Sequence, residues 1–419
     1  MKQRAVSAEG NVDPDRLWAR HMELATVGGL ANGGVDRQAL TPEEAHARKM
    51  VIAWAQVIDL APAIDPVGNL FLRYEGRRPN ARPVLAGSHL DTQPCGGRFD
   101  GVYGVLAVLE AMTALRGAGW EPERPMDLVV WTNEEGCRFA PTTMGSSAFA
   151  GALSVDEVLA IRDETGVSVA EALDIVAEIL GPMPSRSLGF PVHSFLEIHI
   201  EQGPVLEAHG CPVGVVTGVQ GLRWFSIDVC GQSGHAGTTP ERHRRDALVT
   251  ALRILDVLRE HMLGGTDHQD VRFTVGRFEV FPGAPNTIPG RVRFTIDLRH
   301  PDVDRLDELG AIILDTCERF AEPCAVSVEA PPASPSIRFA ESMVGLLDNA
   351  ARAECIQPVH LMSGATHDAK WLSTVAPTGM LFVPCGGGIS HNEAETAELD
   401  DLVAGTRVMC RALRELSAA

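Results

Sequence analysis

Histidine and carboxylate residues in this sequence fall repeatedly at the ends of apolar, strand-like segments. The short apolar run 83–87 leads into the motif G-S-H-L-D-T, which contains His89 and Asp91, and a turn-rich stretch then leads to Asp100. His89 offers a neutral nitrogen ligand, Asp100 offers two oxygens that could bridge two cations, and Asp91 could orient the imidazole. Open α/β sheets place their ligands at strand ends, so the pattern predicts half of a metal site. The alternative is a surface loop with a capping aspartate.

A pair of adjacent glutamates, Glu134 and Glu135, ends a second apolar segment, 126–132. Successive side chains of a strand point to opposite sides, so one glutamate could bind metal while the other faces the substrate. The alternative is a solvated turn, which is the usual meaning of such a short motif in isolation.

The alternating segment E-I-H-I-E-Q-G places Glu197, His199 and Glu201 on one face of a predicted strand. A buried face with three ionisable groups requires a cation or polar partners. Gln202 would end the strand pointing elsewhere, which suits contact with a substrate amide or carboxylate. His391 follows a strand and a glycine-rich loop, whose backbone amides can approach a ligand. A structural histidine or a helix cap is the alternative for His391.

Two loops in the middle of the chain contain further polar candidates. His235 lies in S-G-H-A-G-T-T-P and could donate a hydrogen bond to a developing oxyanion. Arg299 ends a predicted strand and is suited to a bidentate contact with a substrate carboxylate. Either residue could instead be a surface side chain or part of an ion pair within its own domain. The turn around His367 and Asp368 offers supporting hydrogen bonds rather than a direct metal ligand.

The order of predicted elements indicates an α/β fold built from two domains. Amphipathic helices over 13–26 and 41–60 precede alternating strands and helices, which is the pattern of an α/β sheet. Residues 218–331 read instead as β-α-β-β-α-β, a ferredoxin-like unit closed by Pro331-Pro332. We therefore predict a catalytic domain formed by 1–217 and 332–419, with the unit 218–331 inserted between its two parts.

Composition limits the possible partners. The 419 residues carry 36 basic and 55 acidic side chains, a net charge of −19, and no basic block is interleaved with aromatics, so a nucleic-acid role is disfavoured. The amino terminus lacks the apolar core of a signal peptide and no apolar window is long enough to span a membrane, so we expect a cytoplasmic protein without membrane contact. Nine cysteines without a C-x-x-C pair are expected to be reduced thiols.

Taken together, the motifs resemble the hydantoinase/carbamoylase branch of the two-metal amidohydrolase and metallopeptidase superfamily. This branch contains N-carbamoyl-L-amino-acid hydrolases, allantoate amidohydrolases and β-ureidopropionases. The resemblance runs from about residue 20 to the C-terminus. It rests on six motifs in family order: G-S-H-L-D-T with F-D-G, N-E-E-G-C-R-F, H-I-E-Q-G-P-V-L-E, G-H-A-G-T-T-P, P-N-T-I-P-G with D-L-R-H-P, and G-I-S-H-N-E.

The resemblance implies a mixed-sheet, aminopeptidase-like catalytic domain with an inserted α+β dimerisation domain and two divalent cations, whether zinc, manganese, nickel or cobalt. It implies that one cation is bound by His89, Asp100 and His199 and the other by Asp100, Glu135 and His391. Glu134 matches the general base, and the bond between Asp100 and Gly101 is expected to be cis. The residues that match substrate contacts are Gln202, His235, Asn286, Arg299 and Ser390.

The implied reaction is hydrolysis of a ureido or amide C–N bond in a small, carboxylate-bearing ureido substrate. His235 would stabilise the oxyanion, and the expected homodimer would lend His235 and Asn286 across the subunit interface. His199, where peptidase relatives tend to carry a carboxylate, favours the carbamoylase branch. Glu241 and Thr366 depart from the family pattern without touching the implied ligands. An aminoacylase or dipeptidase, and a catalytically silent metal-binding protein, are the alternatives.

Overall fold

The structure is a computed structural model that describes residues 11–264 and 270–418. The stretch 1–9, considered above for a signal peptide, lies outside these residues. The described strands are β1 (Ala61–Ile64), β2 (Leu70–Tyr74), β3 (Val84–His89), β4 (Met126–Trp131), β5 (Ser194–Ile200), β6 (Gly214–Val219), β7 (Gly221–Cys230), β8 (Gly234–His235), β9 (Arg272–Phe281), β10 (Thr287–Ile288), β11 (Arg291–His300), β12 (Ala325–Glu329), β13 (Ile337–Arg338), β14 (Val359–Ser363) and β15 (Thr378–Val383).

The first two α-helices are shorter at both ends than the segments 13–26 and 41–60 predicted for them. The described residues form twelve α-helices. They are α1 (Pro14–Leu24), α2 (Pro42–Gln56), α3 (Val102–Gly117), α4 (Met144–Phe149), α5 (Val155–Ala160), α6 (Val169–Leu180), α7 (Val205–His209), α8 (Ala247–Leu263), α9 (Val303–Arg319), α10 (Glu341–Ala353), α11 (Asp368–Leu372) and α12 (Leu399–Ser417). None of them is both long enough and apolar enough to span a membrane.

The chain divides into two compact units, the first formed by the described residues up to Thr217 and from Phe339 onward. Its sheet has the order β1-β2-β4-β3-β5-β15-β6, with β14 also paired to β6. The four central strands β4, β3, β5 and β15 run parallel, and the flanking pairs are antiparallel. The α/β fold predicted from the element order is confirmed, and so is the mixed sheet that the resemblance implied.

Helix α3 packs against the centre of this sheet and is almost entirely buried. A Cβ added at Gly104 would lie 2.4 Å from the carbonyl oxygen of Ile198, so the helix backbone approaches β5 closely. On the other side of α3, Tyr103 donates a hydrogen bond to the carbonyl of Leu402 in α12. The apolar core around α3 therefore fixes the carboxyl ends of β3 and β5, where the polar motifs lie.

The second unit, Gly218–Arg338, has a four-stranded antiparallel sheet of order β12-β7-β11-β9, with α8 and α9 packed on it. This is the predicted β-α-β-β-α-β arrangement. The unit continues past the proline pair at 331–332 because Ser334 forms a bridge with Leu222, and Ile337 and Arg338 of β13 pair with Val219 and Gly218. Its apolar core is separate from that of the first unit.

Sequence analysis assigned no element to β1 or to β6. Strand β6 contains two glycines, and a Cβ added at Gly214 would lie 2.7 Å from the side chain of Leu361. The strand is stabilised by pairing on both sides, with β15 and with β14, so its position depends on residues more than 140 positions further along the chain.

Candidate metal centre

Three side chains from separate segments converge at the carboxyl ends of the parallel strands. His89 is the last residue of β3, His199 lies near the end of β5, and Asp100 lies in the turn before α3. Potential ligand atoms of these three buried residues all lie within 4.8 Å of one another. Nε2 of His199 is 3.1 Å from Oδ1 of Asp100, and Nε2 of His89 is 3.8 Å from the same oxygen.

A second group shares Asp100 with the first. Nε2 of His391 lies 3.2 Å from Oδ2 of Asp100 and 3.5 Å from Oε2 of Glu135. The two oxygens of Asp100 thus face different groups, Oδ1 toward His89 and His199 and Oδ2 toward His391. This arrangement suits a carboxylate that bridges two cations.

Hydrogen bonds to the backbone fix the orientation of the two buried imidazoles. Nδ1 of His89 lies 2.9 Å from the carbonyl of Asp91, and Nδ1 of His199 lies 2.8 Å from the carbonyl of Ile200. Carbonyl oxygens can only accept, so each Nδ1 carries a proton, and each Nε2 is left facing Asp100, where it can share a proton with the carboxylate or bind a cation. Metal-binding histidines commonly have this second hydrogen bond.

The Glu134–Glu135 dipeptide is fixed by Asp91. The carboxylate of Asp91 accepts the backbone N–H of Glu134 at 3.2 Å and that of Glu135 at 3.1 Å. Oε2 of Glu134 then lies 3.6 Å from Nε2 of His89, while Glu135 contacts His391. The two glutamates therefore contact different histidines, although they lie in a bend beyond the end of β4 and not in the strand itself.

The pKa values in this cluster are shifted because carboxylates and imidazoles are buried close together. Burial, reinforced by neighbouring carboxylates, raises the pKa of Glu134 well above its usual range and that of Glu135 to about 8. Burial opposes charge on Asp100 as well, but His199 and His391 outweigh it and hold the pKa of Asp100 well below its usual value. Asp100 in turn raises the pKa of His391 to about 9. A cation could replace the shared protons in such a cluster.

Left-handed backbone conformations occur at several residues of this region. Asn133, Gln202 and His391 have φ angles of 53°, 56° and 54°, although none is glycine. Such strain is uncommon and is concentrated at functional sites. Asn133 directly precedes Glu134, so the strained backbone sets the direction in which the glutamate pair leaves β4.

The expectation of a cis bond between Asp100 and Gly101 is wrong. The cis bonds found among the described residues all precede proline, at Pro141, Pro282 and Pro323. The chain turns into α3 instead through the φ of 64° at Gly101. A Cβ there would lie 2.3 Å from the ring of His89, so the position requires glycine.

Two polar side chains named as substrate contacts lie beside the bridging carboxylate. Nε2 of Gln202 donates to Oδ2 of Asp100 at 2.9 Å and to Oγ of Ser390 at 3.1 Å. Sequence analysis missed the buried carboxylate of Glu395, which contacts Ser390 and the backbone of Asp100. In the sequence, Glu395 is the second glutamate of S-H-N-E-A-E, four residues after His391, and this spacing is the signal that could have identified it.

The other polar residues of the predicted strand face have structural partners. Glu197 accepts hydrogen bonds from Ser88 and from the backbone of Ala369, and Glu201 caps the start of α7. His367 is buried with its ring centroid 4.7 Å from that of His199. The adjacent Asp368 is also buried, and its charge contributes to the raised pKa of Glu134.

The remaining substrate candidates lie in the second unit. His235 pairs with Thr287 in a two-stranded ladder, and the backbone of Ala236 donates to the carbonyl of Asn286, so His235 and Asn286 are neighbours. Arg299 forms two hydrogen bonds with Asp297, both 2.9 Å long. The ion pair within its own domain, which the sequence left open, is therefore present.

The residues present fit a pair of divalent cations. The donors are imidazole nitrogens and carboxylate oxygens, a set that suits zinc, manganese, nickel and cobalt. One oxygen of Glu135 is buried without a hydrogen-bond partner, and a metal ion at this position would compensate for its burial.

Comparison with known proteins gives consistent results along the whole chain. The profile of Peptidase family M20/M25/M40 matches residues 85–415. An N-carbamoyl-L-amino-acid amidohydrolase of Rhizobium meliloti is 38% identical over 413 residues, covering 96% of each chain. The N-carbamoyl-L-amino acid amidohydrolase of Geobacillus stearothermophilus is 37% identical, covering 97% of this chain and 99% of its own.

A solved structure agrees with these relatives. The hydantoinase/carbamoylase family amidase of Burkholderia multivorans superimposes with a TM-score of 0.91 at 41% identity, covering 97% of this chain and 98% of its own. The chain belongs to Peptidase family M20/M25/M40 and, within it, to the hydantoinase/carbamoylase amidases.

Proposed function

We propose that the protein is a metal-dependent amidohydrolase that cleaves the ureido C–N bond of N-carbamoyl-L-amino acids or closely related ureido acids. The products would be the amino acid, carbon dioxide and ammonia. The observation that carries this proposal is the convergence of four potential ligands, His89, His199, Glu135 and His391, on one shared carboxylate, Asp100, with Glu134 beside them. The names of the two N-carbamoyl-L-amino-acid amidohydrolase relatives support the choice of substrate class.

In this proposal the first ion is bound by His89, Asp100 and His199, and the second by Asp100, Glu135 and His391. Two such cations, when bound, polarise the substrate carbonyl and make water acidic enough to attack at neutral pH. The chain itself supplies the proton transfers. Glu134 takes the proton of the attacking water and returns it to the leaving nitrogen, a role that suits its position 3.6 Å from Nε2 of His89.

The other substrate-directed roles are also proposals. His235 would donate a hydrogen bond to the oxyanion, and Asn286 and Gln202 would orient the substrate. Arg299, which Asp297 holds through two hydrogen bonds, would provide positive charge for the substrate carboxylate. Ser390 would contribute through its hydrogen bond with Gln202.

We further propose that the protein works as a homodimer formed through the second unit, with His235 and Asn286 acting in the partner's site. Strand β9 is an edge of its sheet, and an unpaired edge can accept a second strand. Apolar side chains are also exposed on α8, which packs on the same sheet, including Val249 and Leu252. A cytoplasmic location is supported by the nine cysteines, all of which are free thiols in the structure.

The substrate proposal is tested by turnover measurements on chelated enzyme supplied in turn with zinc, manganese, nickel or cobalt. The panel contains several N-carbamoyl-L-amino acids, allantoate, ureidopropionate, N-acyl amino acids and dipeptides. We expect the highest kcat/KM with an N-carbamoyl-L-amino acid. A preference for N-acyl amino acids or dipeptides would instead identify an aminoacylase or dipeptidase, and no turnover at full metal content would identify a binding protein.

The role of Glu134 is tested by Glu134→Gln. We expect metal content to stay at the wild-type level while kcat falls roughly 100- to 10,000-fold, because the amide cannot accept the proton of water. Glu178→Gln on the exposed face of α6 is the matched control and should retain wild-type kcat. Near-wild-type activity of Glu134→Gln would remove Glu134 from the general-base role.

A further inference from the structure

A single buried carboxylate connects the loop of Asp100 with the loop of His391. Oε1 of Glu395 accepts the backbone N–H of Phe99 at 2.9 Å and that of Asp100 at 3.1 Å. Oε2 of the same residue lies 2.9 Å from Oγ of Ser390, the residue before His391. Glu395 is only 3% exposed. One side chain thus holds two segments that are almost 300 residues apart in sequence.

Hydrogen bonds extend from Glu395 to the bridging carboxylate itself. Oγ of Ser390, which donates its one proton to Glu395, accepts a hydrogen bond from Nε2 of Gln202, and the same Nε2 donates to Oδ2 of Asp100. Oδ2 is the oxygen that faces His391. Glu395 therefore contacts Asp100 directly, by accepting the backbone N–H of Asp100, and indirectly, through Ser390 and Gln202.

The fit around Glu395 leaves little room for another arrangement. A Cβ added at Gly97 would lie 1.9 Å from Oε1 of Glu395, so the loop that leads to Asp100 closes tightly over this carboxylate. A buried carboxylate needs several donors, and here two backbone N–H groups and one hydroxyl are within hydrogen-bond distance. The Glu395 carboxylate therefore holds the loop of Asp100 and the loop of His391 together.

The two proposed ion sites differ in how much they depend on these contacts between loops. His89 and His199 lie on neighbouring central strands of the sheet, whose ladders hold them in place. His391 lies in a loop, its side chain is 48% exposed, and its backbone is left-handed. The group formed by Asp100, Glu135 and His391 therefore relies more on loop contacts than the group formed by Asp100, His89 and His199.

We propose that Glu395 is a positioning residue that fixes the bridging carboxylate Asp100 and the His391 loop, and that its loss weakens the second ion site selectively. The inference rests on the two-ion centre proposed above. Residues that orient metal ligands typically change metal affinity by about 10- to 100-fold when they are removed. We expect a change of this size at the second site and little change at the first.

The experiment compares chelated wild type, Glu395→Ala, Glu395→Gln and the control Glu393→Ala, whose carboxylate is exposed in the same loop. Manganese is titrated calorimetrically, and bound ions are counted by mass spectrometry of dialysed protein. For Glu395→Ala we expect the first ion to bind as in wild type and the second about 10- to 100-fold more weakly, with kcat recovering at saturating manganese. Glu395→Gln should bind both ions nearly as wild type, because its amide oxygen still accepts the two N–H groups.

Three outcomes would overturn the inference while leaving the two-ion centre intact: two ions bound by Glu395→Ala with wild-type affinities, equal weakening at both sites, or Glu395→Gln as defective as Glu395→Ala. Wild-type protein that binds fewer than two ions would overturn the centre and the inference together. Should Glu395→Ala fail to fold, Glu395→Asp takes its place. It retains the charge but shortens the side chain by one methylene, so it should show the same selective loss.

Discussion

The side chain of Asp91 supports the candidate metal centre, although it is not one of the proposed ligands. The sequence predicts that Asp91 orients the imidazole of His89. In the structure its backbone carbonyl does so, while the nearer carboxylate oxygen is 3.7 Å from Nδ1 of His89, beyond a hydrogen bond. The carboxylate instead accepts the N–H groups of Glu134 and Glu135. Asp91 therefore links the two strands that carry the histidine and the glutamate pair.

A buried histidine close to this region makes stability depend on pH. His21 in α1 is fully buried against Phe99, and burial lowers its pKa to about 4. In the unfolded chain its pKa is about 6.5, so between those values the unfolded state binds the proton and the folded state does not. The stability due to neutral His21 is therefore complete above about pH 6.5 and decreases as the pH falls toward 4.

We expect His21→Leu to lose this dependence. Between pH 7 and pH 4.5 the free energy of unfolding of the variant should fall by about 2 kcal/mol less than that of wild type. Urea unfolding of chelated protein at the two pH values measures the difference. His209→Leu, at an exposed position of α7, is the control and should keep the wild-type pH dependence. Equal losses in wild type and His21→Leu would show that His21 does not titrate in this way.

At the scale of elements, helix α3 joins the core to the candidate metal centre. Its first turn follows Asp100, and its buried length packs between the sheet and α12. The residue that caps the start of the helix is Gly101, which has a positive φ and lies against the ring of His89. The direction of the helix and the position of two proposed ligands therefore depend on one glycine.

Substitutions at the two ends of α3 should have opposite effects. Gly101→Ala introduces a Cβ that clashes with His89 at an unfavourable φ, so we expect a loss of stability of about 1–3 kcal/mol together with most of the activity. Gly117→Ala at the other end has open space around its Cβ and should increase stability by about 0.5–1 kcal/mol at unchanged activity. Urea unfolding and turnover measure both effects. A fully active Gly101→Ala would contradict the proposed position of His89.

At the scale of the whole molecule, the second unit offers the surface for the proposed dimer. The sheet order leaves β9 as an edge, and the neighbouring helix α8 exposes Val249 and Leu252 to 56% and 53%. Exposed apolar side chains and an unpaired strand edge are both typical of association surfaces.

We expect Val249→Glu/Leu252→Glu to shift the protein from dimer to monomer in sedimentation equilibrium at micromolar concentration. Each glutamate would place a charge in an apolar contact without a partner. Val57→Glu is the matched control, because Val57, at 81%, is the most exposed large apolar residue among the described residues of the first unit. A dimer that persists in the double variant would exclude this surface, and a monomeric wild type would exclude the dimer itself.

The sequence by itself determined the fold class, the order of most of the elements and the family. Apolar periodicity located β3, α3, β4 and β5 within a few residues, and polar residues at strand ends indicated where a site would form. These inferences are possible because periodicity and strand ends are local properties of the chain. The six motifs in order then indicated the family to which the chain belongs.

Only the tertiary structure decided which polar residues act together. The carboxylate of Asp91 reaches the backbone of Glu134 across 43 positions, and Glu395 reaches Asp100 across 295. The left-handed turn at Gly101, in place of a cis bond, and the ion pair of Arg299 with Asp297 also became visible only in three dimensions. The physical reason is that hydrogen bonds and steric contacts depend on distances in space, which the spacing of residues along the chain does not specify.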